Sequence, residues 1–332
     1  MNRKILIRLA IATVLTALLI TLLFKITSLR AEEFWRDLGR ITWRVLLAGF
    51  LLHLVIYMCK ALRFKILIRS RSVSFRALLD IVTFHNLANI VLPFRTGELS
   101  YIYLVSRRHD IPTGEAFATL AMARILDILA ISFVYPISIL VLFAQGASFP
   151  TAVYVVILFI AIFFLSCMAL VLGITLRGDQ VISLLKALLA RFRLDQRSIA
   201  ETIIQKMEEA VESFRQVRSA RLYLKLLAIS IFVLVVQYLI AYILLLGLTF
   251  DVTYVETIFA STLAGLTNIL PIHSLGGFGT LETGWAAGFK MIGFSGKEAV
   301  SSGLSVHIIA FSYISIIGIY GLIRIWSYRR RG

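Results

Sequence analysis

Long apolar runs alternate with short charged stretches along the whole chain. Six runs approach or exceed the ~20 residues that a helix needs to cross a bilayer. They cover residues 5–24, 41–59, 115–143, 152–176, 223–248 and 298–323. The first run has a basic start but no small-residue cleavage site after it, so we interpret it as an uncleaved helix. The pattern predicts an all-α, polytopic membrane bundle.

Two further apolar stretches are interrupted in the middle. Residues 77–106 form two short arms separated by Pro93, and residues 257–294 form two arms around Pro271. Each arm is shorter than a bilayer crossing, and basic residues flank both ends of the first stretch, so we predict two re-entrant hairpins. The alternative is that these stretches cross the membrane, the first as one helix kinked at Pro93, which gives eight crossings.

The segment 177–221 mixes charged and apolar residues at helical spacing. This pattern is typical of an amphipathic helix at a membrane surface, so we interpret the segment as a connector on the cytoplasmic side. The connector divides a single membrane domain, 1–332, into a first half at 5–176 and a second half at 222–323.

Composition supports a membrane protein and limits the possible partners. The chain is 59% hydrophobic and only 16% charged, and its mean hydropathy is +0.90, more than a soluble core can hide. The net charge of +16 falls at the ends of apolar runs, as in the return to the cytoplasm at Lys60–Arg76, so we expect cytoplasmic termini and no nucleic-acid binding. Cys59 and Cys167 lie in apolar runs without metal-ligand spacing and are interpreted as small hydrophobic residues.

The two interrupted stretches match each other in order. The matching pairs are Asn89 with Asn268, Pro93 with Pro271, Thr96 with Thr280, Glu98 with Glu282, Glu115 with Glu298, Ala116 with Ala299, and Arg124 with His307. One hairpin that opens inward and one that opens outward are what an inverted-topology repeat predicts. In transporters of that kind the substrate site lies between the broken helices near the midplane.

The hairpin tips have the chemistry of an anion site. A helix that restarts at Thr96 presents unpaired N–H groups and its positive dipole end, and Arg95 adds a full charge, so the first tip suits a lipid phosphate. At the second tip, we expect Thr280 and the glycines of 276–279 to present unpaired N–H groups to an anion in the same way. His273, also at that tip, is a candidate to bind the headgroup.

Ionisable residues near the breaks leave two interpretations open. Glu98 and Glu282 serve either as first-turn partners of the helix dipole or as functional carboxylates, whereas Glu298 fits an S-x-x-E capping box. Arg124 and Asp127 are three residues apart on one helix and either neutralise each other or serve a polar ligand. We favour a function for the last pair because charged groups at membrane depth rarely lack one.

Three motifs together resemble a known family. They are N-x-x-L-P-x-R-x-G-E from Asn89, A-x-x-R-x-x-D around Arg124, and L-P-x-x-x-x-G-G-x-G-x-x-E from Leu270. In this order they are similar to the lysylphosphatidylglycerol synthase transmembrane region family, over nearly the whole chain. The family includes the flippase half of bacterial aminoacyl-phosphatidylglycerol proteins. The resemblance implies lipid translocation, or a lipid-linked step in envelope synthesis, in a bacterial or archaeal cytoplasmic membrane.

The sequence also departs from this family. His307 stands where an arginine is expected in the last helix, so the charge at that position depends on pH. The chain lacks the soluble aminoacyl-transferase domain of the fused members, so we do not expect it to transfer lysine to lipid by itself.

The favoured hypothesis is a lipid translocase, not an enzyme, whose two hairpins bound a polar midplane cavity. Arg95 and Arg124 hold the headgroup phosphate, and Glu98, Asp127 and Glu282 pair with them or accept an amine or protons. The predicted substrate-binding residues are Asn89, Pro93, Arg95, Thr96, Gly97, Glu98, Arg124, Asp127, Asn268, Pro271, His273, Gly276, Gly277, Gly279, Thr280, Glu282 and His307.

The expected partners are membrane lipids and an envelope-lipid synthase, and no cofactor or metal is predicted. One alternative is an intramembrane enzyme that acts on lipid phosphates or polyprenyl-linked sugars, although the sequence contains no H-E-x-x-H and no G-x-S-x-G motif. The other alternative is a scaffold for an envelope synthase, which would dock on the amphipathic connector.

Overall fold

The described part of the chain is entirely helical between its turns. A computed structural model describes residues 21, 25, 31–92, 96–147, 149, 151–191, 198–216, 219–267 and 275–329. No strand occurs within these residues, which confirms the all-α class. The first predicted run, 5–24, lies outside the described residues apart from Thr21.

Eleven α-helices and one short 3-10 turn are placed within the described residues. They are α1 (Ala31–Leu38), α2 (Trp43–Leu67), α3 (Phe75–Val91), α4 (Glu98–His109), α5 (Thr113–Ala144), α6 (Thr151–Arg191), α7 (Ser198–Gln216), α8 (Ala220–Gly247), α9 (Tyr254–Thr267), the 3-10 turn Leu275–Gly277, α10 (Thr280–Met291) and α11 (Gly296–Arg329). By length and composition α2, α5, α8 and α11 are able to cross a membrane. The protein is therefore a polytopic membrane bundle.

Two helix boundaries differ from the predicted ones. The run 41–59 was expected to end before Lys60, but α2 continues to Leu67 because apolar residues persist between the basic ones and no helix breaker intervenes. Lys60 and Arg63 therefore lie inside α2 and not after its last residue. Similarly, α6 runs past residue 176 and bends at Arg177, where φ is −126° and ψ is 28°.

Helices α3 and α4 form the first helix pair. The chain turns back sharply between them, since a Cβ on Gly97 would lie 2.3 Å from the backbone of α3. Near the start of α3, Asp80 lies 3.6 Å from Arg324, and near the end of α4, Arg108 Nη1 donates to Ile325 O at 2.8 Å. The outer ends of the first pair thus lie together beside the last turns of α11. Helix α4 begins two residues after the predicted restart at Thr96.

Helices α9 and α10 form the second helix pair, and small residues let their backbones approach closely. A Cβ on Gly284 would lie 2.7 Å from Leu263 O, and one on Gly288 would lie 2.5 Å from Ala260 O. Gly284 thus meets Leu263 of α9, whereas Gly288, later in α10, meets Ala260, earlier in α9. The two helices are therefore antiparallel. Small residues at such contacts are typical of helix packing in membranes.

The outer ends of the second pair lie beside the first turns of α11. The rings of Phe250, which follows α8, and Phe294, which precedes α11, are 6.3 Å apart. Further along, Trp285 Nε1 donates to Ser302 Oγ at 3.1 Å. The two helix pairs therefore contact α11 from opposite ends of that helix.

The connector packs on the start of α5. Glu209 Oε2 of α7 accepts the N–H of Gly114 at 2.8 Å, and a Cβ on Gly114 would lie 2.3 Å from Lys206 O. Arg215 of α7 donates to Asp179 of α6 at 2.7 Å, and this hydrogen bond lowers the pKa of the Asp179 carboxyl. The segment after Arg177 and helix α7 thus form a helical unit attached to α5.

Candidate functional site

Five ionisable side chains from three helices meet inside the bundle, and we call them the charged cluster. They are Lys60 and Arg63 on α2, Glu98 on α4, and Arg124 and Asp127 on α5. Arg124 Nη2 lies 2.9 Å from Glu98 Oε1. Arg63 forms a salt bridge with Asp127 and donates to Ser230 Oγ of α8 at 2.8 Å. The cluster therefore links the first pair to three membrane-spanning helices.

The strongest pairings in this cluster join different helices. Arg124 and Asp127 share one face of α5 because they are three residues apart. Their closest charged atoms are 3.8 Å apart, farther than the Arg124–Glu98 contact at 2.9 Å. The contact between Arg124 and Asp127 within α5 is thus the weaker one. Arg124 mainly binds Glu98 of α4, and Asp127 mainly binds Arg63 of α2.

Part of the charged cluster remains accessible. Side-chain exposure is 37% for Arg124 and 25% for Glu98, and 32% for Asp127, whereas Arg63 is only 3% exposed. Glu98, Arg124 and Asp127 therefore border open space near the middle of α5. Arg63 contacts Asp127 from the buried side of the cluster.

A histidine fixes the turn before α4. His85 Nδ1 lies 3.3 Å from Gly97 O, and His85 Nε2 lies 3.2 Å from the amide nitrogen of Asn89. The two contacts are compatible when Nδ1–H donates to the carbonyl and Nε2 accepts from the amide, which is a neutral imidazole. Asn89 therefore supports the turn through His85, and His85 positions Gly97, the residue before Glu98.

At the second pair a buried glutamate organises the glycine turn. Glu282 is fully buried, and its Oε2 accepts the N–H of Gly279 at 2.6 Å. Its Oε1 lies 2.6 Å from His307 Nδ1, and His307 Nε2 lies 3.0 Å from Gly276 O. The ring of Phe278 stacks on the imidazole at 4.2 Å. Glu282 is thus both a helix cap and the partner of a basic residue.

The contacts of His307 determine where its protons lie. A carbonyl oxygen only accepts, so Nε2 carries a hydrogen that it donates to Gly276 O. One further proton then lies between His307 Nδ1 and Glu282 Oε1. His307 thus holds the buried Glu282 side chain and the Gly276 carbonyl together at this turn.

The two helix pairs use the same arrangement at the restart of their second helix. Glu98 is the first residue of α4 and pairs with Arg124 on the next helix, α5. Glu282 lies in the first turn of α10 and pairs with His307 on the next helix, α11. Both helix pairs therefore have a glutamate in the first turn of the second helix that contacts a basic residue on the following helix.

The remaining predicted site residues are partly described. Thr96 and Gly97 form the turn before α4, and Thr280 Oγ1 donates to Gly277 O at 2.9 Å. Gly276, Gly277 and Gly279 have φ values of 67°, 78° and 87°, which glycine adopts readily and other residues rarely do. Five predicted site residues lie outside the described residues: Pro93, Arg95, Asn268, Pro271 and His273.

Both helix pairs approach the middle of α5. Glu98 contacts Arg124, as described above, and one turn further Ile128 lines a narrow apolar groove with Phe163 of α6 and Leu266, near the end of α9. The described residues thus bring the first turn of α4 and the last turn of α9 to neighbouring turns of α5.

Sequence reasoning did not identify Lys60 and Arg63 as site residues. The pattern that could have found them is the continuation of the apolar run to Leu67, which places K-x-x-R on one face of a helix.

The fold and the charged cluster define the class: an α-helical integral membrane protein with paired charges beside two broken helices. The profile of the lysylphosphatidylglycerol synthase TM region family matches residues 5–318. The chain belongs to this family. Direct comparison with curated proteins gives no match. The family and the apolar helices are consistent with a role that concerns membrane lipids.

Proposed function

We propose that the protein is a lipid translocase of a bacterial or archaeal cytoplasmic membrane. Its substrate is an anionic or aminoacylated phospholipid or a polyprenyl-phosphate-linked lipid. The observation that carries the proposal is the charged cluster, because ionisable groups inside an apolar membrane bundle are costly and mark a functional site by default. Arg124, Glu98 and Asp127 remain accessible, as a ligand site requires.

Arg124 is the proposed phosphate ligand. Its guanidinium can offer two parallel N–H groups to phosphate oxygens, a strong and directional arrangement. Glu98 and Asp127 lie 2.9 and 3.8 Å from it and compensate its charge. The arriving phosphate takes over this role, and the carboxylates take it back when the lipid leaves. Arg95 precedes the same turn in the sequence and adds a second cation.

The proposed route uses the two helix pairs as re-entrant hairpins of an inverted repeat, with both chain termini cytoplasmic. Two observations support it: the pairs contact α11 from opposite ends, and each restarts with a glutamate that holds a basic residue on the next helix. In transporters of this design, access alternates around a site between the broken helices.

Transport in proteoliposomes tests the proposal. The purified protein is reconstituted with a phosphatidylglycerol that carries a fluorophore on one acyl chain, and an impermeant reductant reports how much analogue reaches the other leaflet. We expect Arg124→Ala to slow this movement about tenfold or more, since a hydrogen bond to a charged group contributes roughly 1.5–3 kcal/mol.

Arg71→Ala is the matched control, because Arg71 pairs with Asp110 at the surface and its side chain is 61% exposed. This variant should move lipid like the wild type. A wild-type rate for a correctly inserted Arg124→Ala protein would refute the phosphate role of Arg124. A chemically altered lipid in the mass spectrum would instead support the enzyme alternative.

A further inference from the structure

Lys60 differs from the other cations of the charged cluster in its partners. Its ammonium lies 3.4 Å from the Asn86 side-chain oxygen and 5.9 Å from the centre of the Tyr57 ring. Within the described residues, no carboxylate oxygen lies within 4.0 Å of Lys60 Nζ, whereas Arg63 and Arg124 each have such a partner. Among the described residues, the groups in direct contact with the Lys60 ammonium are therefore neutral.

The charges of the cluster do not balance. Within the described part of the chain the cluster has three cations, Lys60 and two arginines, against two carboxylates, those of Glu98 and Asp127. One positive charge is in excess. An isolated charge away from bulk water is unfavourable, so a protein retains one where an opposite charge arrives.

Lys60 does not simply extend toward the membrane surface. It lies about two turns before the end of α2, and a snorkelling lysine would direct its ammonium toward that end. Instead it contacts Asn86, about three turns into α3. The Asn86 amide nitrogen donates to Val82 O at 2.8 Å, which fixes the amide so that its oxygen faces Lys60.

We propose that Lys60 anchors the phosphate of the transported lipid and makes the site select headgroups with a net negative charge. The inference rests on the proposed function and narrows its substrate class. A phosphodiester without an amine supplies the missing negative charge. A zwitterionic or aminoacylated headgroup also brings an ammonium, so its net charge leaves the excess positive charge of the site uncompensated.

The test compares two lipids that differ only in the headgroup. Phosphatidylglycerol and phosphatidylcholine with the same fluorescent acyl chain are reconstituted with wild type, Lys60→Met, Lys60→Arg or Lys65→Met. Lys65 is exposed on the same helix and provides the same change of charge outside the cluster. We expect the wild type and Lys65→Met to move phosphatidylglycerol faster than phosphatidylcholine. In Lys60→Met the ratio of the two rates should fall about tenfold. Lys60→Arg should keep the ratio of the wild type.

A second measurement separates binding from transport. Lipids that co-purify with wild type and Lys60→Met are identified by mass spectrometry, and we expect only the wild type to retain anionic phosphodiester lipids. If neither fluorescent lipid moves but only the wild type retains anionic lipids, the proposed translocation is wrong and the assignment of Lys60 as a lipid-phosphate ligand is supported. Equal preference in wild type and a folded Lys60→Met protein overturns the Lys60 assignment, as does an equal rate for both lipids in the wild type.

Inorganic phosphate distinguishes a lipid headgroup from the free anion. Phosphate in large excess should leave the wild-type preference unchanged if Lys60 binds the lipid. Loss of the preference in phosphate would show that Lys60 binds the free anion and would refute the lipid assignment.

Discussion

At the scale of single residues, two glutamates show how surroundings alter one motif. Glu298 and Ser295 form the reciprocal capping box that the sequence predicted, with contacts of 3.0 and 3.3 Å. Glu282 makes the same kind of cap to Gly279, but it is fully buried and also holds His307. The motif alone could not reveal the second contact, because His307 is distant in sequence and meets Glu282 only after α10 and α11 pack.

Removal of the Glu282 side chain should destabilise the protein strongly. Glu282→Ala leaves the Gly279 N–H and a histidine nitrogen without partners inside the bundle, at a cost of about 1–3 kcal/mol for each. Glu298→Ala, at an exposed cap, should cost about 1 kcal/mol. Thermal unfolding in detergent measures both, and equal shifts of the two midpoints would contradict this role of Glu282.

Glu282→Gln should be much milder than Glu282→Ala. The glutamine oxygen can accept from Gly279, and its amide N–H can donate to His307 Nδ1, so every hydrogen bond survives and only the charge is lost. We expect an unfolding midpoint close to the wild type. A glutamine variant as unstable as the alanine variant would show that the ion pair itself, rather than the hydrogen bonds, holds the turn.

Arg63 should be coupled energetically to Asp127. Arg63→Met removes the nearest partner of the carboxylate and should cost about 2–3 kcal/mol. Asp127→Asn removes the uncompensated charge, so the double variant should be more stable than the sum of the two single effects implies. Unfolding of the two single variants and the double variant measures the coupling, and strict additivity would mean that the contact contributes nothing.

At the scale of helices, the sequence predicted the breaks better than the ends. Both predicted interruptions fall between helices, since α3 ends at Val91 and α4 begins at Glu98, and α9 ends at Thr267 and α10 begins at Thr280. The ends of α2 and α6 were misplaced because charged residues were taken to terminate apolar runs. Arg63 remains inside α2 since Asp127, from a separate helix, compensates its charge, and periodicity carries no information about such a partner.

The close contact between α9 and α10 should tolerate no extra methyl group. A Cβ at Gly288 would lie 2.5–2.6 Å from backbone atoms of Ala260, so Gly288→Ala should force the helices apart and cost about 1–3 kcal/mol. Gly265→Ala is the control on α9, since nothing lies within 4 Å of its added Cβ. There the helix should gain up to about 1 kcal/mol. Thermal unfolding in detergent separates the two effects, and a similar response would refute the packing argument.

At the scale of the whole molecule, the two helix pairs resemble each other in their contacts more than in their sequences. Each pair consists of two short helices with a glutamate in the first turn of the second one, and this glutamate contacts a basic residue on the following helix. The sequence predicted the correspondence of these positions. The pairing of Glu98 with Arg124 and of Glu282 with His307 required three-dimensional packing, since the two sequences share few other residues around them.

The orientation of the helix pairs in the membrane can be measured with single cysteines. In a background without Cys59 and Cys167, cysteine replaces Arg71, Arg107 or Asp251, all exposed. Arg107 lies at the end of α4 near the last turns of α11, so we expect an impermeant maleimide to label positions 71 and 107 from one side of sealed vesicles and position 251 from the other. Permeabilised vesicles, in which all three must react, control for reactivity. Labelling of position 107 together with 251 would contradict the placement of Arg71 and Arg107 on one side, and the proposed site between two re-entrant pairs would then lose its first pair.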